Sequence, residues 1–113
     1  MDYHQSRINL NESSKILKDI KQAVLDVDSE AEVILFGSRA RGDFHDESDW
    51  DVLILVDKDE RDYEFKNKIR DILFELELKS GAAISSIIRN KEFWQEISIT
   101  PLYKEIEKDG VSL

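Results

Sequence analysis

The sequence predicts an α/β (α+β) fold: a small mixed β-sheet flanked by helices. Three observations carry that expectation. The apolar, β-branched runs "EVILF" and "DVLILVD" read as buried strands. Apolar residues at helical spacing come before the first run and after the second. Ser80-Gly81 then separates the longer helix from a third apolar run, "AAISSII", so strands and helices interleave.

In chain order, Asn11 to Ser14 offers several N-caps, with Glu12 favourably placed near a helix start. Ile16, Leu17, Ile20, Val24 and Val27 follow with helical period, which predicts a helix from Glu12 to Val27. "EVILF" is the first strand and ends at Gly37, and "DVLILVD" is the second. Between Asp59 and Lys79, Phe65, Ile69, Ile72, Leu73 and Leu76 mark a longer helix. Its charged outer positions read as a solvated face with i,i+4 pairs. Ala82 to Ile88 is the third strand, and Lys91 to Glu96 a short helix. Pro101 interrupts the tail, and Leu102 to Lys108 supplies a last helical turn or two before Gly110.

A chain of 113 residues suits a single domain, residues 1–113, with one core. It is 41% hydrophobic and 36% charged, a globular balance rather than a disordered one. Its apolar runs fall far below the ~20 residues that span a membrane. "MDYHQSRINL" lacks a basic stretch followed by an apolar segment, so no secretory signal is expected. There is no cysteine, which excludes disulfides, thiol nucleophiles and cysteine-held zinc. A cytoplasmic protein is the expectation. The net charge of −9 argues against nonspecific binding to nucleic acid, whose affinity comes from neutralised phosphates. A phosphorylated small molecule or a basic partner protein remains compatible.

The chemistry concentrates in "FGSRARGDFHDESDWDVLILV", Phe36 to Val56. Residues two apart on a strand share a face, so Asp49 and Asp51 point together, ~6.5 Å apart along the chain, if both begin the second strand. Two such carboxylates can hold hard cations, and oxygen ligands without His or Cys favour Mg²⁺ or Mn²⁺ over zinc. The simpler alternative for "DESDWD" is a solvated turn before a strand. It does not fit a calcium loop, because the required glycine and closing glutamate are absent. Gly37 at a strand end lets backbone approach a phosphate, and Ser38 adds a hydroxyl and an amide. A helix beginning near Ser38 would aim free N–H groups at an anion. Arg39 and Arg41 suit phosphates, or equally Asp43, Asp46 or Glu47. The combination places phosphate binders opposite metal-binding carboxylates, as phosphoryl transfer from a nucleoside triphosphate requires.

That segment resembles the signature of the DNA polymerase beta-like nucleotidyltransferase superfamily, roughly GSxARGxxxxxSDxDLxV. Gly37, Ser38, Arg41, Gly42, Ser48, Asp49 and Asp51 match it, and the short length points to the minimal nucleotidyltransferase (MNT) branch. With the surrounding elements the resemblance covers most of the chain. It implies that Gly37 and Ser38 hold the triphosphate and that Asp49 and Asp51 are the catalytic, metal-binding pair. It further implies AMP transfer from ATP, with Mg²⁺ or Mn²⁺, to an acceptor hydroxyl. Many minimal members pair with a helical HEPN-type partner protein as its antitoxin, some by adenylylating a tyrosine on it. No role for Arg39 follows from the motif.

The chain departs from the family at one point. Active members usually bring a third carboxylate from a later strand, and counting along "AAISSIIRN" places that position at Ser85, or at Ser86 if the register slips by one. Neither is anionic. Two readings therefore stand: an active AMP-transferring enzyme, or a catalytically degenerate fold acting as a non-enzymatic binding partner or antitoxin. Elsewhere, Trp50 is expected to point into the core, away from the aspartates. His45 is read as a loop surface residue, and His4 carries no signal. Phe93 and Trp94 suit core packing or a partner patch, and Tyr103 suits packing of the tail onto the domain.

Overall fold

The computed structural model describes residues 14–113. Of the expected N-caps Asn11 to Ser14, residues 11–13, Glu12 among them, lie outside that range, as does His4. The sheet is organised by its most apolar strand. In β2 (Trp50–Val56) every side chain but that of Asp51 is buried, so the strand must be covered on both faces. Two neighbours flank it. β1 (Glu32–Phe36) runs antiparallel, with Glu32 opposite Leu55 and Phe36 opposite Asp51. β3 (Ile84–Asn90) runs parallel, with Asp51 beside Ser85 and Val56 beside Asn90. A two-residue strand, β4 (Val111–Ser112), adds to the free edge of β1 and gives the order β3-β2-β1-β4. The sheet is mixed, as expected.

Alternation divides the apolar residues into two layers. Val33 and Leu35, with Trp50, Val52, Ile54 and Val56, face α1 (Ser14–Val27) and α3 (Tyr63–Ser80). Leu17, Ile20 and Val24 from the first helix and Phe65, Ile69 and Leu73 from the second fill that side. Ile34, Phe36, Leu53 and Leu55 face the opposite way, against Trp94 of α4 (Lys91–Glu96) and Tyr103 and Ile106 of α5 (Pro101–Asp109). Trp94 is thus a core residue. Tyr103 packs the tail as expected, its ring 5.1 Å from that of Trp94 and its hydroxyl donating to Gln95 Oε1 at 3.0 Å.

Helix ends follow local chemistry. Asp62, Asn90 and Thr100 each accept the N–H three residues on, and Pro101 starts α5 where its missing N–H costs nothing. Gly81 closes α3 in the left-handed conformation at φ 77°. The third strand is displaced from the expected Ala82–Ile88. Residues 82 and 83 are spent connecting Gly81 to the sheet, and the ladder to β2 continues through the polar pair Arg89 and Asn90. The longer helix starts at Tyr63 rather than Asp59, because Asp59 to Asp62 forms a turn in which Asp59 accepts from Arg61 and Asp62. β4 was not expected, since two residues carry no periodicity.

One charged side chain departs from the expected solvated face of α3. Lys66 is buried, its Nζ 2.9 Å from Glu60 Oε1, while Glu60 Oε2 accepts the Asn90 N–H at 2.7 Å. The pair ties the start of α3 to the end of β3. Removing only the acid leaves a buried ammonium unpaired, so Glu60→Ala is expected to cost about 3 kcal/mol in urea denaturation. Lys66→Met/Glu60→Leu should cost clearly less than Glu60→Ala alone, because no uncompensated charge remains.

Candidate functional site

The end of β1, the starts of β2 and β3, and the C-terminal part of α5 meet at one end of the sheet. β1 stops at Gly37, which adopts φ 74° and ψ −158°, a conformation confined to glycine. The chain then turns into the four-residue helix α2 (Ser38–Arg41), as the expectation of a helix near Ser38 required. In that turn Gly37 O accepts from the N–H groups of Ala40 and Arg41, at 3.1 and 3.0 Å. By the geometry of a helix start, the amides of Ser38 and Arg39 have no acceptor within it. Gly42 ends it at φ 91°.

Asp51 lies across from this turn. A Cβ added to Gly37 would sit 3.2 Å from the Asp51 Cγ and closer still to a carboxylate oxygen. A glycine is therefore required twice, by backbone angle and by the carboxylate that fills the space a side chain would take. Asp49 is exposed and lies one residue before β2, so only Asp51 of the two belongs to the strand, while the charge of Asp49 still acts on Asp51. Trp50 between them is buried on the face opposite Asp51, as expected. Burial, and after it the charge of Asp49, holds the Asp51 carboxyl above the usual carboxylate range, with Arg41 opposing and Glu105 adding to the rise.

The structure separates the two arginines. Arg39 lies between the rings of Phe44 and Trp50, 4.5 and 4.2 Å from their centroids. It donates to the Ser48 carbonyl at 2.9 Å and to the Asp46 carbonyl at 3.3 Å. It thus clamps the loop leading to Asp49 rather than pairing with a carboxylate. The Ser48 hydroxyl accepts the His45 N–H at 3.0 Å, and the exposed His45 ring accepts from Glu47 N–H at 3.3 Å. Arg41 faces the acids: its Nε is 3.2 Å from Asp43, and its Nη1 is 3.5 Å from Glu105 and 3.8 Å from Asp109. The hydrogen bond to Asp43 comes first among the causes that raise its pKa.

Ser85 sits directly beside Asp51 in the parallel ladder, exposed, and Ser86 takes the next rung beside Val52. Among the described residues, no three carboxylate, imidazole or thiol groups are placed to hold a metal ion. The residues present still suit a hard divalent cation. Two carboxylates act on each other, and the inner one carries a charge made unfavourable by burial and by its neighbour, which a cation would relieve. The approach of Glu105 and Asp109 from α5 had no local signal in the sequence.

Two changes test this geometry. Gly37→Ala is expected to lower stability by about 3 kcal/mol, from strain and overlap together. Gly37→Ala/Asp51→Ala should regain only part of that loss, since the overlap goes and the strain stays. Asp51 itself supplies a pH test. A raised carboxyl pKa contributes stability that is full below the unfolded-state value and is lost as pH rises through the folded one. Metal-free Asp51→Asn should therefore melt above wild type at neutral pH, with the gap closing toward ~pH 4.

Known proteins share this arrangement of elements. Residues 13–112 match the model of the nucleotidyltransferase domain family. A Methanocaldococcus jannaschii protein, named as a candidate protein adenylyltransferase, is 40% identical over 101 residues, covering 88% of this chain and 96% of its own. A second from the same organism, similarly named, is 36% identical over 78 residues, covering 69% and 72%. A solved candidate nucleotidyltransferase from Sulfolobus solfataricus aligns with a TM-score of 0.55 at 26% identity, over 88% of this chain and 79% of that one. Another, at 24% identity and a TM-score of 0.55, agrees in fold. No described helix is long and apolar enough to cross a membrane. The match along nearly the whole chain, together with the 40% identical relative, places this protein in the nucleotidyltransferase domain family.

Proposed function

We propose that the chain binds ATP with Mg²⁺ or Mn²⁺ and transfers AMP to a hydroxyl on a partner protein in the cytoplasm, releasing pyrophosphate. The observation that carries this reading is the apposition of the Gly37-Ser38 turn and the Asp49/Asp51 pair. Backbone amides and a hydroxyl stand on one side, and carboxylates on the other. The names of the two archaeal relatives favour a protein as acceptor. A HEPN-type helical protein, with this chain as its antitoxin, is the partner the family resemblance suggests.

In the reaction, the acceptor oxygen bonds to the α-phosphorus as the bond to the β-phosphate bridge breaks, and the hydroxyl proton leaves to solvent. Gly37 and Ser38 would bind and orient the phosphates, and Arg41 would offset their charge. Asp49 and Asp51 would hold the divalent cation, which supplies the charge neutralisation that phosphoryl transfer needs. Arg39 contributes at a distance by fixing the loop that ends at Asp49.

Ser85 favours a second reading. Beside Asp51 stands a neutral hydroxyl, so this chain's own contribution to activating an acceptor is weak. A degenerate fold that masks its partner without chemistry would tolerate that. The two are separated by Mg²⁺-dependent pyrophosphate release measured with the partner present. Transfer predicts release in wild type and a loss of at least about 100-fold in Asp49→Asn/Asp51→Asn. Release that survives both changes contradicts transfer. Masking predicts no release, with neutralisation of the partner unaffected by those changes.

A further inference from the structure

We propose that Glu105 of α5 is an internal competitor for Arg41, an anion that occupies the guanidinium until a triphosphate displaces it and so holds nucleotide affinity down. The inference rests on the nucleotide-binding reading. Of the two cations in the turn, Arg39 is committed to the Phe44 and Trp50 rings and to two carbonyls, which leaves Arg41 as the one facing carboxylates. Arg41 is already surrounded. Asp43 takes its Nε at 3.2 Å, and Nη1 faces Glu105 at 3.5 Å and Asp109 at 3.8 Å.

Those last two contacts differ in kind. The Asp109 side chain is 18% exposed, at the end of α5 where the chain enters β4 beside β1, so it is held by the fold. The Glu105 side chain is 51% exposed. Its 3.5 Å separation is well beyond the 2.7–2.9 Å of a strong charge-assisted hydrogen bond. Such an exposed pair positions a partner weakly. It nonetheless occupies Nη1 of an arginine that lies on the same four-residue helix as Ser38. A phosphate arriving at the Gly37-Ser38 turn meets this carboxylate and can replace it on Nη1 with better geometry. Competition for Nη1 therefore outweighs positioning, and the sign of the Glu105 effect is inhibitory.

Titration calorimetry on the full chain with Mn²⁺-ATP, and separately with AMP, tests this. Glu105→Gln is expected to tighten ATP binding roughly three- to fivefold and to leave AMP, which lacks the outer phosphates, within about twofold. In an Arg41→Gln background the same change should give no gain, because the contested cation is gone. An unchanged or weaker ATP affinity in Glu105→Gln overturns the proposal, as does a gain that persists without Arg41. If neither wild type nor Glu105→Gln binds Mn²⁺-ATP, the nucleotide reading itself fails and takes this one with it; wild-type binding with no Glu105 effect sinks this one alone.

Discussion

The contact between Gly37 and the Asp51 carboxylate constrains everything around it. An acid at the second position of a buried central strand would ordinarily be unfavourable, since the residues that follow it in β2 are all apolar. It is accommodated because Phe36, opposite it at the end of β1, is followed by a residue without a side chain, whose space the carboxylate takes. The same glycine, in a conformation closed to other residues, turns the chain into α2. One position thus ends a strand, opens space for a carboxylate and aims the next residues across it.

The three layers exist to hold that junction. Antiparallel pairing of β1 and β2 brings the end of one strand to the start of the next, so residues far apart in the motif become neighbours. The parallel pairing of β3 carries Ser85 to the side of Asp51. Arg39, stacked between two aromatic rings, fixes the loop between α2 and β2 and thereby the approach to Asp49. At the far end of the sheet, the Lys66–Glu60 pair and Asn90 lock β3 to the helix that precedes it, away from the site.

Much of this was legible in the sequence, for physical reasons. The apolar runs of β1 and β2 announce strands buried on both faces, and the alternation of Trp50 and Asp51 sorts indole and acid to opposite sides. Of Ser85 and Ser86, the two positions that counting allowed for a third acid, Ser85 lands beside Asp51. What escaped depends on tertiary approach. Glu105 and Asp109 look like ordinary helix acids until the packing of α5 on Trp94 and Phe36 carries them to Arg41. Arg39 reads as a cation for a phosphate or for a nearby carboxylate until Phe44 and Trp50 enclose it. β4 is too short to leave a pattern, and Lys66 sits in a helix whose other charges face water.

Membership in the nucleotidyltransferase domain family and the geometry of the site point the same way, while Ser85 keeps the question of chemistry with the acceptor. The central claim is that the Gly37-Ser38 turn and the Asp49/Asp51 pair form one nucleotide site. The most direct measurement is a crystal structure of the chain with Mn²⁺ and a non-hydrolysable ATP analogue, read by the anomalous signal of the metal. The account predicts manganese between the Asp49 and Asp51 carboxylates and the phosphates against the amides of Ser38 and Arg39. A nucleotide bound elsewhere, or phosphates seated at the turn with no metal on either aspartate, would contradict it.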